Sequence, residues 1–166
     1  MNIFALDFDP RTAARYHCDK HVVKMILESA QLLSTAHHVL DGGDLARQNV
    51  PGILKPTHVN HPCARWVRDT RGNYEWTWQL MAALCAEHTR RWPGHTHRYA
   101  YENGLLGHLH TAPLHIPERP LELFAQAMPD EFQQPDSIQA YRDYYMGAKR
   151  AMAQWRAPAE PPPWWR

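Results

Sequence analysis

The chain has 166 residues, enough for one domain to bury a core without disulfides or metal, and its three cysteines, Cys18, Cys63 and Cys85, are too scattered for a CxxC site or a complete set of pairs, as in a reducing compartment. With 18 Lys and Arg against 17 Asp and Glu, the formal charge is +1, which excludes the whole-molecule positive field of a non-specific nucleic-acid binder and leaves only local patches to meet DNA. The start MNIFALDFDP lacks the basic character of a signal peptide, and no apolar run approaches the ~18 residues of a membrane span, so the expectation is a cytoplasmic protein with no membrane partner.

In chain order, residues 2 to 8 alternate too briefly to specify a strand. Asp9-Pro10 reads as a helix start, followed by a short helix to about Tyr16. Asp19 is a second capping candidate, and Val22, Ile26, Ala30, Leu33 and Leu40 recur at helical spacing until Gly42-Gly43 stops the run. Pro51, Gly52 and Pro56 make 44–60 a loop. Pro62 opens a second long helical region to about Trp92, which Gly72-Asn73 divides in two. The segment 93–120, rich in His, Gly and Pro, reads as a surface wrap with a turn or two near Tyr101 to Leu106. A short helix is expected over Leu121 to Ala127, and Asp136-Ser137 cap a last helix carrying Tyr141, Tyr144, Tyr145, Ala148 and Met152. The expected architecture is all-α: one compact helical bundle with long His/Pro-rich loops over residues 1–157, and a Pro/Trp-rich tail over 158–166.

On one helix unbroken from His17, at about 100° per residue, His17, His21, Lys24, Glu28 and Gln31 would share a sector opposite Val22, Ile26 and Leu33. An ordinary solvated face gives the same period, but more often with repeated Glu, Lys and Arg than with two His, one Lys and one Glu. Two chemistries fit the pattern. His17 and His21 have the i, i+4 spacing of metal ligands, with Glu28 two turns on and His61 available from the next helix, although no second Glu-x-x-His pair is present for a di-iron centre. Alternatively, Glu28, flanked by Lys24 and close to His21, is a carboxylate placed to act as a base or to stabilise positive charge. The run Thr57 to Pro62 sets Asn60 and His61 at a loop-to-helix junction, and junctions of this kind often line sites. Local basic patches for DNA are Arg65, Arg68 and Arg71, then Arg90, Arg91 and Arg98, then Lys149, Arg150 and Arg156. Trp66, Trp76, Tyr144 and Tyr145 are the aromatic candidates to stack on an extruded base, with core packing as the competing role.

The run Asp19-Lys20-His21-Val22-Val23-Lys24-Met25-Ile26-Leu27-Glu28 resembles the Asp-Gln-His-x6-Glu run on the first helix of the phage pyrimidine-dimer DNA glycosylase/AP lyase family, the endonuclease V type. His61, followed by a helix with Leu80-Met81-Ala82-Ala83-Leu84-Cys85, is similar to that family's Gly-His element and Ile-Ala-Glu-Cys helix. Tyr144-Tyr145-Met146-Gly147-Ala148-Lys149 resembles its terminal Tyr-Tyr-Gly-Lys segment. Through the runs 18–25 and 126–131 the chain also resembles, nearly end to end, a family of tailed-phage proteins that implies a phage-like origin and a host cytoplasm.

The first resemblance implies an all-α fold, DNA as partner, no cofactor, and a mechanism in which an N-terminal amine attacks the deoxyribose C1′ and forms an imine while a glutamate assists glycosidic cleavage and β-elimination. Carried across, the glutamate is Glu28, and the amine is that of Met1, because Asn2 is too bulky for ready Met removal. Ordinary α-amines titrate near 8, so a neutral fraction exists at about pH 7. His21 and Lys24 are expected to support Glu28, and Lys20, Asn60, His61, Arg65, Arg68, Tyr144 and Lys149 to bind substrate. The arginines one before and three after the family's glutamate are Leu27 and Gln31 here, so the expected target is a modified or damaged base of open identity. The alternatives are a metal-dependent enzyme using His17, His21, Glu28 and His61, and a non-enzymatic phage protein that binds a host partner through its Trp-rich tail. The oligomeric state is left open.

Overall fold

Helices begin where a side chain accepts the first free backbone N–H groups, and Asp9 does so for Thr12, at 2.9 Å from the backbone and 2.7 Å from the hydroxyl. With Pro10 in its first turn, helix α1 runs over Pro10–Tyr16 in the computed structural model, which describes all 166 residues. His17 then turns extended (φ −62°, ψ 134°), and α2 begins afresh at Asp19–Leu40, capped by Cys18. The cap expected at Asp19 thus falls one residue earlier, at Cys18, since Asp19 is the first residue inside α2 and its N–H donates to the Gln154 carbonyl at 2.8 Å.

The loop expected from residue 44 contains a helix, α3 (Gly43–Asn49). Gly42, at φ +80°, turns the chain out of α2 and lets it restart at once, and α3 buries only Ala46, so it has no apolar period to read. Helix α4 (Pro62–Asp69) is capped by the His61 ring and α5 (Arg71–Arg91) by the Thr70 hydroxyl, which accepts from Asn73. The division expected at Gly72-Asn73 therefore falls at Thr70. Gly72 has another use: a Cβ there would run into the Leu121 backbone nitrogen, so only glycine lets residues 120 and 121 cross α5.

That crossing explains why Leu121 to Ala127 is not the expected helix. Arg71 and Gly72 donate to the Pro117 and Arg119 carbonyls, the Asn73 side chain accepts from Glu122, and Trp66 and Tyr141 donate to Leu123 and Ala125. The segment is held extended by side chains of its neighbours. One turn, α6 (Leu105–His108), interrupts the long wrap, and α7 (Ser137–Ala148) is capped by Asp136. The result is seven helices and no strand. No helix is long and apolar enough to cross a membrane.

Helix α2 packs against α3, α4 and α5, and α1 lies across α5. Val22, Met25, Ile26, Ala30, Leu32, Leu33 and Ala36 of α2 are fully buried, and Trp66, Trp76 and Phe124 form an aromatic cluster with centroids 4.6–6.1 Å apart. Trp66 and Trp76, expected as wedges or core, are core residues. Residues 3 to 6 thread this interior without a strand partner: Arg142 donates to the Leu6 carbonyl and Trp76 to that of Phe8, supplying the bonds a sheet would have supplied. Burying the first residues in this way fixes where the chain begins. In the tail, Trp164 and Trp165 rest on Tyr145 and Trp155 donates to the Tyr16 carbonyl.

Candidate active site

Glu28 lies on the face of α2 that the chain start crosses. The Asn2 N–H donates to its Oε2 at 2.8 Å, the Met1 α-amine lies 3.8 Å from the same oxygen, and the Lys24 ammonium lies 3.3 Å from Oε1, one turn earlier on the helix. Three positive or donating groups converge on one carboxylate that is only 8% exposed. Asn2 makes the arrangement rigid: its Oδ1 accepts from Ile3 and Phe4, and its Nδ2 donates to the Ala127 carbonyl at 2.7 Å. The tight turn forces Phe4 to φ +40°, a conformation costing about 1–3 kcal/mol in a side-chain-bearing residue, and such strain gathers at functional sites.

His61 sits at the edge of the same site. Its Nδ1 accepts from the Cys63 N–H at 3.2 Å as the cap of α4, so the neutral ring carries its proton on Nε2. Burial lowers its pKa first, and the positive chain start and His58 lower it further, with Glu28 opposing. Burial pushes the neighbouring Cys63 thiol up to about 11, which leaves it inert.

His21 is not beside Glu28. Its ring packs on Phe4 (4.5 Å) and Tyr145 (5.1 Å), and burial, then His17, Lys149 and Lys24, lower its pKa to about 3. His17 is fully buried, its Nδ1 bonded to the Ala13 carbonyl at 2.7 Å, and its pKa is lowered to about 4, chiefly by burial. The expectation of one polar stripe on one helix is therefore corrected: the chain breaks at His17, and three of the four residues face the interior. The metal set His17, His21, Glu28 and His61 does not assemble, because His17 is committed to α1 and His61 to α4. No group of three or more metal-ligating side chains comes together anywhere in the protein.

Phe4, His21, Tyr144 and Lys149 form an adjoining cluster, with Phe4 and Tyr144 stacked at 5.9 Å and the Lys149 ammonium 4.6 Å from the Tyr144 ring centroid. Lys20, Asn60 and Arg65 are exposed, while Arg68 is used to hold the Val59 and Ala64 carbonyls. The sequence reading missed Asn2 and Phe4, whose roles come from contacts with Ala127 and Tyr144 that no local period encodes. A surface cavity of about 730 Å³ between α1 and α5 does not include Glu28, which the chain start covers.

Residues 1–100, holding the chain start and α1 to α5, match the family described as pyrimidine dimer DNA glycosylase. No curated protein and no solved structure matches the chain.

Proposed function

The chain belongs to the pyrimidine dimer DNA glycosylase family, and from that premise we propose that it is a lyase-type DNA N-glycosylase acting on a modified or damaged base through its N-terminal amine and Glu28. The family implies a glycosylase activity and a DNA substrate. The observation that carries the finer reading is the placement of the terminal amine 3.8 Å from Glu28 Oε2, at the end of a buried lead whose turn Asn2 fixes.

In this reading the neutral amine attacks C1′ of the target deoxyribose. The C1′–N bond breaks and the base leaves with the bonding pair and takes a proton; the amine then gives up one proton as the C1′–O4′ bond breaks, O4′ keeping that pair and taking a proton, to leave the cationic imine. The Glu28 carboxylate receives the amine proton and faces the positive charge that develops at C1′. The Asn2 N–H and Lys24 orient the two oxygens, and His61 presents an Nε2–H donor at the site's edge. His21 acts at a distance by holding Phe4, and through it the turn at Asn2.

Borohydride trapping on an abasic duplex tests this. The expected product is a covalent adduct mapping to the first residue. Its identity also decides which residue reacts: if Met1 is removed in the cell, the Asn2 nitrogen becomes the amine, 2.8 Å from Oε2. One residue added before Met1 is expected to abolish trapping and to lower turnover at least about 10²-fold, since displacement of a reacting group by about 1 Å already costs that much. Full turnover in the extended protein, with no trapped adduct, would overturn the amine mechanism.

A further inference from the structure

Seven of the 18 Lys and Arg side chains, at positions 24, 47, 71, 90, 91, 119 and 142, form ion pairs with carboxylates, which neutralises much of the positive charge of a near-neutral chain. Where the unpaired cations sit therefore decides where a polyanion is held. Lys20, Lys149 and Arg156 are among those without such a partner, and the segments that carry Lys20 and Arg156 meet at Asp19, at the start of α2. The segment after α7 is clipped there by two reciprocal bonds: Asp19 N–H to the Gln154 carbonyl at 2.8 Å, and Arg156 N–H to Asp19 Oδ2 at 3.0 Å. Asp19 precedes Lys20, so the clip sets Arg156 beside it.

The Arg156 guanidinium, exposed, lies 5.3 Å from the Trp92 ring centroid, which orients it without neutralising it. The Asp19 carboxylate, which accepts from the Arg156 backbone N–H, is itself held by the buried Arg91 at 3.1 Å. From there Lys20, Lys24 and Glu28 follow at four-residue steps along one face of α2, about 6 Å apart along its axis. Lys149, just past the end of α7, lies over the Tyr144 ring and close enough to His21 to depress its protonation.

Resting on the proposed glycosylase reading, we infer that Arg156 and Lys20 grip the DNA backbone beside the target nucleotide, so that the segment after α7, beyond the matched residues 1–100, is part of the DNA-binding surface. The occupant is the phosphate backbone of duplex DNA: the groups offered are the exposed point charges of Lys20 and Lys24 and the guanidinium fork of Arg156, one turn or more before the buried Glu28, and no base-reading amide is among them.

The test is the salt dependence of binding to a duplex carrying a tetrahydrofuran abasic analogue. At about 0.9 per phosphate contact, R156Q is expected to lower the logarithmic salt slope by about 0.9 and K20Q/R156Q by about 1.8, while R156K keeps the wild-type slope. Circular dichroism of each variant shows whether the fold is retained. A slope for R156Q equal to wild type, in a wild type that binds and trips the borohydride trap, overturns that segment's role alone. A wild type that binds no duplex even at low salt overturns the glycosylase reading and this inference together.

Discussion

At the residue scale, Glu28 is held by partners that tolerate a neutral replacement. A glutamine there still accepts from the Asn2 N–H through its carbonyl oxygen and gives up the charge pairing with exposed Lys24, an i, i+4 contact worth about 0.3–0.5 kcal/mol, together with that to the Met1 amine 3.8 Å away. Glu28→Gln is therefore expected to unfold within about 1 kcal/mol of the parent while losing about 10²–10³-fold in turnover on its best lesion substrate, the usual cost of removing one preorganised electrostatic partner. Urea unfolding beside single-turnover cleavage separates the two effects, and a variant that fails to fold would make Glu28 structural. Glu28 was legible because Asp19, His21 and Glu28 stand in unbroken order in the sequence. The neighbours that orient it were not, since Asn2 and Phe4 reach the site only through bonds 125 residues apart in sequence and an aromatic stack with α7.

At the element scale, the break between α1 and α2 is tied to α5 by one side chain. The fully buried Arg91 guanidinium donates to the Arg15 and His17 carbonyls at 3.0 and 2.8 Å, to Asp19 at 3.1 Å and to Glu87 at 3.1 Å. It closes the last carbonyls of α1 and meets the acidic first residue of α2, so its loss orphans groups on three helices. Arg91→Ala is expected to cost about 3–5 kcal/mol, a drop in Tm on the order of 10 °C for a domain this size, whereas Arg90→Ala, removing a more exposed partner of the same Glu87, costs under about 1 kcal/mol. A thermal shift for Arg91→Ala no larger than that for Arg90→Ala would show that the break holds without the clamp. The caps at Asp9 and Asp136 were readable because capping is a local chemistry of three or four residues. Residues 121–127 were misread for the opposite reason: their composition permits a helix, and Gly72, about 50 residues earlier, decides against it by letting the backbone cross.

For the whole molecule, burying imidazoles ties stability to pH. His17 and His21 are held neutral down to about pH 4 and about pH 3, by burial first, with Arg91 adding to the effect at His17, and His17, Lys149 and Lys24 adding to it at His21. In the unfolded chain both titrate near 6.5. Above about pH 7 neither state binds these protons and stability is flat. As pH falls through 6.5 the unfolded chain takes them up and the folded chain does not, so each histidine removes about 1.4 kcal/mol per pH unit until its folded pKa is reached. His37 and His61, also lowered by burial, act in the same direction, while the depressed carboxylates of Asp9 and Asp41 begin to matter only at lower pH. At pH 5 the loss from His17 and His21 alone is about 4 kcal/mol, a large part of the roughly 5–15 kcal/mol of an ordinary domain. His21→Phe replaces a ring packed between Phe4 and Tyr145 with one that does not titrate, and it is expected to remove about half of that loss while keeping the fold. Urea unfolding of both proteins at pH 7.5 and pH 5 measures the difference. Parallel pH profiles for parent and variant would show that the His21 proton is bound equally in both states, and that its ring has found a partner which the Phe4–Tyr145 niche does not offer.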